Sequence, residues 1–369
     1  MKPTIEILEK INQNSHKNSD EIFTRLYRYL LRPDIYYIAY KNLYANNGAS
    51  TKGVNGDTAD GFGAEKIQRI IDSLANESYY PKPTRRIHIL KQNGSKRPLG
   101  IPTFTDKLVQ EAIRLILEAI YEPIFRNTSH GFRPKRSCHT ALMMTQNNFR
   151  GVRWFIEGDI RGCFDNINHS KLVQIIRSKI KDARFIKLLH KFLKAGYLEN
   201  WKYNNTYSGV PQGGIISPIL SNIYLHELDM FVEKLKANFD KPKTRDYTPE
   251  YDTARGRVAY LRKLIDKSEG EKRNILIAEM HKARSNMLKI PSKSQTDKKL
   301  VYVRYADDFL IGINGNKDEC NKVKMQLSEF ITNILKMELS EDKTLITHSN
   351  EYARFLGYDI RIRRDFAIK

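Results

Sequence analysis

The chain has 369 residues, of which 63 are Lys or Arg and 42 are Asp or Glu, so its formal net charge is +21. This excess favours a polyanionic partner, either nucleic acid or an anionic membrane surface. The membrane is the weaker alternative, because the sequence has no apolar run of about 18 residues and residues 1–6 are too polar for a signal peptide. Three dispersed cysteines without C-x-x-C spacing argue against disulfides and structural zinc and fit a reducing cytoplasm: Cys138, Cys163 and Cys320.

The first predicted element is a helix in residues 19–44, where apolar side chains recur at near-helical spacing. Ser19 and Asp20 are suited to cap it, and Pro33 is expected to break or restart it. Basic residues interleave with the apolar ones: Arg25, Arg28 and Arg32. They fit either contacts to RNA phosphates or a solvated helix face.

A second helix is expected around residues 67–74, and residues 79–102 then predict a basic β-hairpin with its turn at Asn93-Gly94. Lys91 and Arg97 would lie on the two arms near this turn, where they could grip phosphate oxygens. An ordinary basic hairpin is the alternative.

An amphipathic helix is predicted for residues 106–125. The Gly-Phe-Arg-Pro stretch at 131–134 then leads a basic turn. We expect Arg133, Lys135 and Arg136 there as candidate RNA contacts.

Asp159 stands where an apolar strand runs into a glycine-containing turn and a short helix. An acid at such a strand end suits a metal ligand, and an exposed strand-terminal Asp is the alternative. Residues 170–197 are helical in pattern, and residues 199–208 indicate a hairpin or loop.

Gln212 is flanked by glycines and precedes a predicted helix. The glycines would allow a ligand to approach the backbone closely, and the N-terminus of a helix favours anions. A poorly capped helix start explains Gly213 and Gly214 less well.

Residues 234–299 are rich in charge and helical in pattern, which indicates an inserted pair of helices between two core motifs. They fit either RNA contact or a solvated helical pair.

The stretch 301–313 predicts two strands joined by a tight polar turn that carries Asp307 and Asp308. Two adjacent carboxylates repel each other near an apolar core unless a cation compensates them, which suggests a Mg²⁺ site. A solvated Asp-Asp turn is the alternative. A helix is expected over 317–337, followed by strand-like segments at 339–347 and 354–362.

Taken together, these motifs resemble the group II intron reverse transcriptase/maturase family. The resemblance rests on seven stretches in the family's order: Arg-Pro-Leu-Gly-Ile-Pro (97–102), Gly-Phe-Arg-Pro (131–134), the segment 159–169, Pro-Gln-Gly-Gly to Ser-Asn (211–222), Tyr-Ala-Asp-Asp (305–308), Leu-Ser-Glu-Asp-Lys-Thr (339–344) and Phe-Leu-Gly-Tyr (355–358).

The resemblance implies a catalytic centre with two Mg²⁺ ions. Asp159, Asp307 and the backbone carbonyl of Ile160 would hold the ions, and Asp308 would support them. Lys343 matches the lysine proposed to protonate the departing pyrophosphate.

The same resemblance assigns nucleotide contacts. Lys91 and Arg97 match the pair that grips the triphosphate, and Gln212 matches a contact to the incoming nucleotide. Phe164 stands five positions after Asp159, where an aromatic ring lies beneath the sugar and excludes a 2′-hydroxyl. This favours dNTPs over NTPs and argues against an RNA-dependent RNA polymerase.

The implied fold is α+β, with right-hand polymerase fingers and palm, an antiparallel palm sheet backed by helices, and a charged helical insertion. The expected divisions are an N-terminal extension and fingers (1–107), the first part of the palm (108–168), a return to the fingers (169–208), more palm (209–233), the insertion (234–299) and the second part of the palm (300–369). The family's thumb/maturase, DNA-binding and endonuclease parts have no counterpart among the motifs, and we expect the chain to lack them.

The expected function is RNA-directed DNA synthesis together with binding of the parent intron RNA to assist splicing and retrotransposition. Expected partners are group II intron RNA, an RNA template with a DNA primer, and dNTPs, with no membrane and with a homodimer as an open alternative. The expected location is the bacterial cytoplasm, within a ribonucleoprotein. A non-catalytic RNA-binding splicing cofactor that retains the polymerase fold is the competing hypothesis.

Overall fold

The structure is a computed structural model that describes residues 2–46, 48–90, 94, 96–200, 202–210, 213–241, 247–292 and 298–362. Two predicted site residues, Lys91 and Gln212, lie outside the described residues.

The N-terminal half contains eight helices and a 3-10 turn among its described residues. The helices are α1 (Thr4–Lys17), α2 (Pro33–Tyr44), α3 (Ala64–Ala75), α4 (Phe104–Tyr121), α5 (Cys138–Asn148), α6 (Cys163–Asn166), α7 (His169–Lys179) and α8 (Ala183–Leu193), and the 3-10 turn spans Tyr27–Leu31. The strands interspersed with them are β1 (Thr84–Leu90), β2 (Lys96–Ile101), β3 (Trp154–Asp159), β4 (Tyr197–Glu199) and β5 (Lys202–Asn204).

The remainder continues this α+β pattern. Its helices are α9 (Ser217–Phe239), α10 (Pro249–Ile265), α11 (Gly270–Lys289) and α12 (Lys317–Asn333), and its strands are β6 (Lys299–Tyr305), β7 (Asp308–Asn314), β8 (Ile346–His348), β9 (Ala353–Phe355) and β10 (Tyr358–Ile360). None of the helices in the described ranges has the length and apolar character needed to cross a bilayer.

A central sheet, with strand order β6-β7-β3-β8, is antiparallel throughout. Its side chains alternate between two cores, as the two-residue repeat of a strand requires. Tyr302 and Ile311 join the main core shared with α4 and α9, whereas Val303, Leu310 and Phe155 join a smaller core that includes residues of α5 and β9. Both faces of the sheet are therefore covered, which fixes its register.

The N-terminal sheet has the order β2-β1-β4-β5. The predicted basic hairpin is confirmed as the antiparallel pair β1–β2, in which Arg97 lies opposite Ile89. The hairpin β4–β5 joins β1 through a parallel pairing of β4, so the segment predicted as a hairpin or loop near 199–208 completes this sheet.

The predicted charged insertion is confirmed as two consecutive helices, α10 and α11, that pack against each other. None of the residues of α11 is buried. A bridge between Lys241 and Lys298 closes its base. The expected boundaries at 107 and 234 fall within α4 and α9, whose buried faces continue past those positions.

Two sequence expectations are wrong in detail. The helix expected from Ser19 begins only at Pro33, because residues 19–26 are pinned in a non-helical path by a backbone pairing of Phe23 with Lys179 and Lys181. The strand expected over 339–347 is reduced to β8, and residues 340–344 form a turn instead.

Candidate active site

Three carboxylates meet at one end of the central sheet. Asp159 ends β3 and lies directly opposite Asp308, the first residue of β7. Asp307 occupies the turn between β6 and β7, so the predicted Asp-Asp hairpin is confirmed. Asp159 and Asp308 are 149 positions apart in the chain and become neighbours because every residue of β3 pairs with a residue of β7.

The turn that presents Asp307 has an unusual backbone. Ala306 has φ of 55°, a left-handed conformation that disfavours a side chain with a Cβ. A Cβ at Gly131 would collide with the backbone nitrogen of Ala306, so only glycine allows the 131–134 loop to lie this close. The Gly-Phe-Arg-Pro motif thus supports the carboxylate turn directly.

Arg304 holds the turn from inside the protein. Its side chain is 0% exposed and pairs with Asp229 of α9 through Nε–Oδ1 at 2.7 Å and Nη2–Oδ2 at 2.6 Å. The same guanidinium donates to the carbonyl of Ala306 at 2.8 Å and to Ser129 Oγ at 2.8 Å. Burial is the largest single influence on Arg304 and acts to lower its pKa, but the charge of Asp229, its hydrogen bonds and the neighbouring Tyr302 together raise that pKa above its ordinary value.

Neither Arg304 nor Asp229 was predicted from the sequence. A signal was present, since Arg304 is the one charged residue inside the apolar run from Val301 to Tyr305. A charge at such a position requires a buried partner.

The negative charges of neighbouring carboxylates act on the pKa values of Asp307 and Asp308. Burial, together with the charges of Asp307 and Asp159, raises the pKa of Asp308 to about 7. Burial and the Asp159 charge also raise the pKa of Asp307, although Arg97 and Lys343 act in the opposite direction. The site therefore favours a bound cation or a retained proton.

Lys343 pairs with Asp159, with Nζ donating to Oδ2 at 2.9 Å. Its position follows from a local turn, because Ser340 N donates to Asp159 O at 2.8 Å and Thr344 N donates to Ser340 O at 2.8 Å. The hydrogen bond to Asp159 raises the pKa of Lys343 and keeps it protonated.

The donor set fits a hard divalent cation, since Mg²⁺ prefers carboxylate and carbonyl oxygens. The acids are close enough to raise each other's pKa, and the backbone around Ile160 is fixed by a bridge to Leu339. Within the described ranges, however, no group of three or more His, Cys, Asp or Glu side chains is arranged as it stands to hold a metal ion. Lys343 instead occupies an oxygen of Asp159.

Phe164 lies on α6 beside the carboxylates, and it is 9% exposed. The ring of Phe132 meets it edge-on, with 6.0 Å between centroids, and also approaches Tyr305 at 6.5 Å. Backbone bonds from Val210 N to Phe164 O at 2.7 Å join α6 to the segment that leads to Gln212. Phe164 therefore belongs to an aromatic cluster with Phe132 and Tyr305, the last residue of β6.

The glycine-rich turn has a different partner from the one expected. Gly213 has φ of +102°, and a Cβ there would lie 2.5 Å from the carbonyl oxygen of Gly100. Position 213 must therefore be a glycine because strand β2 of the protein itself lies so close, and not only to let a ligand approach. Buried Gln110 of α4 fixes the following backbone by accepting from Ile215 N at 2.8 Å.

The predicted RNA contacts divide into two groups. Arg133 is buried and bound to Glu122 and to the carbonyls of Arg126 and Ser129, so it is not available as an RNA contact. Arg32 is similarly occupied by Asp34.

The other members of that set remain accessible to a partner. Arg25, Arg28 and Lys135 are exposed, and Arg136 donates to Asn127 while staying partly exposed. Arg97 is exposed on β2 and acts electrostatically on Asp307, which places it toward the carboxylates.

Comparison with known proteins identifies the family to which this fold belongs. Residues 82–240 match the family described as reverse transcriptase (RNA-dependent DNA polymerase). The whole chain is 60% identical to the group II intron-encoded protein LtrA of Lactococcus lactis subsp. cremoris and covers 62% of it. An uncharacterized 91 kDa protein in the cob intron of Schizosaccharomyces pombe is 43% identical over 97% of this chain and 44% of that protein. Protein YkfC of Escherichia coli is 34% identical over 92% of this chain and 84% of that protein.

The chain thus spans less than two thirds of the length of LtrA and of the S. pombe protein. The antiparallel central sheet with its covering helices agrees with the fingers-and-palm fold of reverse transcriptases. The chain belongs to the reverse transcriptase family of group II intron-encoded proteins.

Proposed function

We propose that the chain is an RNA-directed DNA polymerase that uses Mg²⁺. The observation that carries this proposal is the meeting of Asp159, Asp307 and Asp308 at one end of the central sheet, with Lys343 and Arg97 as the neighbouring cations. Family membership supports the same conclusion.

Two Mg²⁺ ions would be held by Asp159, Asp307 and the Ile160 carbonyl, with Asp308 supporting them. When bound, the ions stabilise charge on the attacking and leaving oxygens of the nucleotidyl transfer. Asp308, whose pKa is about 7, is the carboxylate whose protonation state is most sensitive to a bound cation. The Lys343 ammonium has three N–H donors and uses one of them on Asp159, so the others would be available to a triphosphate oxygen.

The chain's own side chains then arrange and discriminate the substrate. Lys343 holds a proton at Nζ that can pass to the departing pyrophosphate. Arg97 and Lys91 bind triphosphate oxygens, Arg97 as a guanidinium does at bidentate phosphate contacts, and Gln212 contacts the incoming nucleotide. Phe164, backed by Phe132, excludes a 2′-hydroxyl and so selects dNTPs.

We further propose that the chain binds its parent intron RNA and assists splicing and retrotransposition. The net charge of +21 supports a polyanionic partner, and two of the relatives are named as proteins encoded by or lying within introns. Exposed Arg25, Arg28 and Lys135 are candidates for phosphate contacts.

Primer extension on an RNA template with dNTPs and Mg²⁺ tests the polymerase. We expect Asp307→Asn to reduce extension by more than about 100-fold, since even groups that only support metal ligands cost about 10–100-fold. Asp60→Asn, an exposed acid far from these strands in sequence, is the matched control. Extension that survives Asp307→Asn would refute the assignment of the site.

The competing hypothesis is a splicing cofactor that binds RNA without polymerising. Filter binding of a structured intron RNA, measured on the same variants, separates the two. Wild-type chain that binds RNA tightly but extends no primer, under conditions where a control reverse transcriptase does, would favour the cofactor.

A further inference from the structure

A groove between α7 and α8 is lined by basic side chains over an apolar floor of Val173, Ala183 and Ile186, and it shares no residue with the carboxylate site. Its volume is about 360 Å³. The lining includes Arg177, Lys187, His190, Lys191, Lys194 and Tyr80. Neither Asp nor Glu is among the described residues that line it.

Helical geometry creates this surface. Positions 187, 190, 191 and 194 recur at the three- and four-residue spacing that places side chains on one face, and Ile186 fixes the helix by being buried. After burial, the largest influences on His190 are Lys194, His169 and Arg177, all of which lower its pKa. Several positive charges therefore act on the same small volume.

Two of these groups are already committed to the protein. Lys187 pairs with Glu77 at 2.9 Å, and Lys191 donates to the carbonyls of Glu77 and Tyr79 at 3.0 and 2.6 Å. Arg177 and Lys194 are exposed, so their charged ends can reach a phosphate in solution. They are the members of the groove suited to an incoming polyanion.

Tyr80 adds an aromatic surface at the same place. It is 64% exposed, and Lys191 Nζ lies 5.5 Å from its ring centroid. Basic side chains next to an exposed ring are the combination that binds unpaired nucleotides, because the ring stacks on a base while the cations contact the backbone. A free anion would use only the cations, and duplex DNA offers no unpaired base.

We infer that this groove binds a single-stranded segment of the intron RNA, with Arg177 and Lys194 on phosphates and Tyr80 stacked on a base. The inference rests on the proposed RNA-binding function and adds a location to it. It does not depend on polymerase activity, because no residue of the groove belongs to the carboxylate site.

Filter binding of a structured intron RNA across a salt series tests this inference. Removing two phosphate contacts, at about 0.7 per contact for a single strand, is expected to reduce the slope of log Kd against log salt by about 1.4. The same arithmetic makes Arg177→Gln/Lys194→Gln weaker by about 25-fold near 0.1 M salt. The matched control, Lys234→Gln/Lys322→Gln, removes the same charge from exposed positions on α9 and α12 and is expected to leave the slope unchanged.

Tyr80→Leu tests the ring separately and is expected to weaken binding by about fivefold or more, whereas Tyr80→Phe keeps the stacking surface and the affinity. Thermal melts of all variants identify any loss of folding, and a misfolded groove variant is replaced by the single Lys194→Gln, with an expected slope change of about 0.7.

Equal slope changes in groove and control variants would overturn the inference, as would duplex DNA competing as well as single-stranded RNA. Primer extension on a short unstructured template is read in parallel. Wild-type chain that fails to extend, while the groove variants lose RNA affinity, would refute the polymerase proposal and support the groove.

Discussion

Replacing Asp229 by Asn removes the carboxylate that neutralises Arg304 inside the protein, with little change in shape. Both side chains are 0% exposed, and the guanidinium makes two charged hydrogen bonds to this one partner. Leaving one member of a buried ion pair unpaired costs about 3–5 kcal/mol. For 369 residues, at about 2.1 cal/mol/K of unfolding entropy per residue, this corresponds to a decrease in Tm of about 4–6 °C.

The loss of activity is expected to exceed the loss of stability. Arg304 also donates to the carbonyl of Ala306, so a displaced guanidinium releases the turn that carries Asp307. Denaturant unfolding and primer extension well below Tm measure the two effects separately, and extension is expected to need more Mg²⁺ for half-maximal rate.

The paired replacement Asp229→Leu/Arg304→Met distinguishes positioning from stability. An apolar pair of similar volume often restores the stability of a buried ion pair, but Met cannot donate to Ala306. We therefore expect stability to recover while extension stays low, and Arg304→Lys to restore part of the activity. A paired variant with wild-type extension, or an Asp229→Asn variant within about 1 kcal/mol of wild type, would refute this reasoning.

Three further outcomes are expected. Burial lowers the pKa of His130 and of His226 to about 4, below the ordinary value of 6.5. Between these two pH values the unfolded chain therefore binds more protons than the folded chain. The stability that these histidines contribute is therefore fully present above pH 6.5 and is lost as the pH falls toward 4, at about 1.4 kcal/mol per pH unit for each histidine. Denaturant unfolding at several pH values measures this loss, with His130→Gln as the comparison. Gly131→Ala is expected to cost about 1–3 kcal/mol and to depress extension, because its Cβ collides with Ala306, and unaltered unfolding midpoints would contradict this. Phe164→Val is expected to raise ribonucleotide incorporation by about tenfold relative to dNTPs, and an unchanged ratio in single-nucleotide extension would remove the sugar-excluding role.

The local sequence pattern was sufficient to predict two kinds of element: those with one face in water, and those with both faces in the core. The Asp-Asp hairpin, the β1–β2 hairpin and the helices around residues 67–74 and 106–125 are present because apolar periodicity and turn residues act within a few positions. The carboxylates were found for the same reason, since strand ends and turns are visible in sequence.

Features fixed by distant partners were not predictable in this way. Arg133 has the same local signature as its exposed neighbour Lys135, and only the position of Glu122 decides that it is buried. Similarly, Gly213 is required by a strand more than a hundred residues earlier, because its missing Cβ makes room for Gly100.

The order of the family's motifs has a physical reason in this structure. Asp307 can take its position only if Gly131 fits against Ala306, if α9 supplies Asp229 to Arg304, and if the 340–344 turn brings Lys343 to Asp159. Each contact joins segments far apart in the chain, and bringing such segments together costs loop-closure entropy. None of these contacts is therefore stable until the central sheet has formed. The carboxylates are therefore held by the segments packed around the central sheet, and a change in any of these segments reaches the turn that carries Asp307, or Asp159 beside it, through a direct contact.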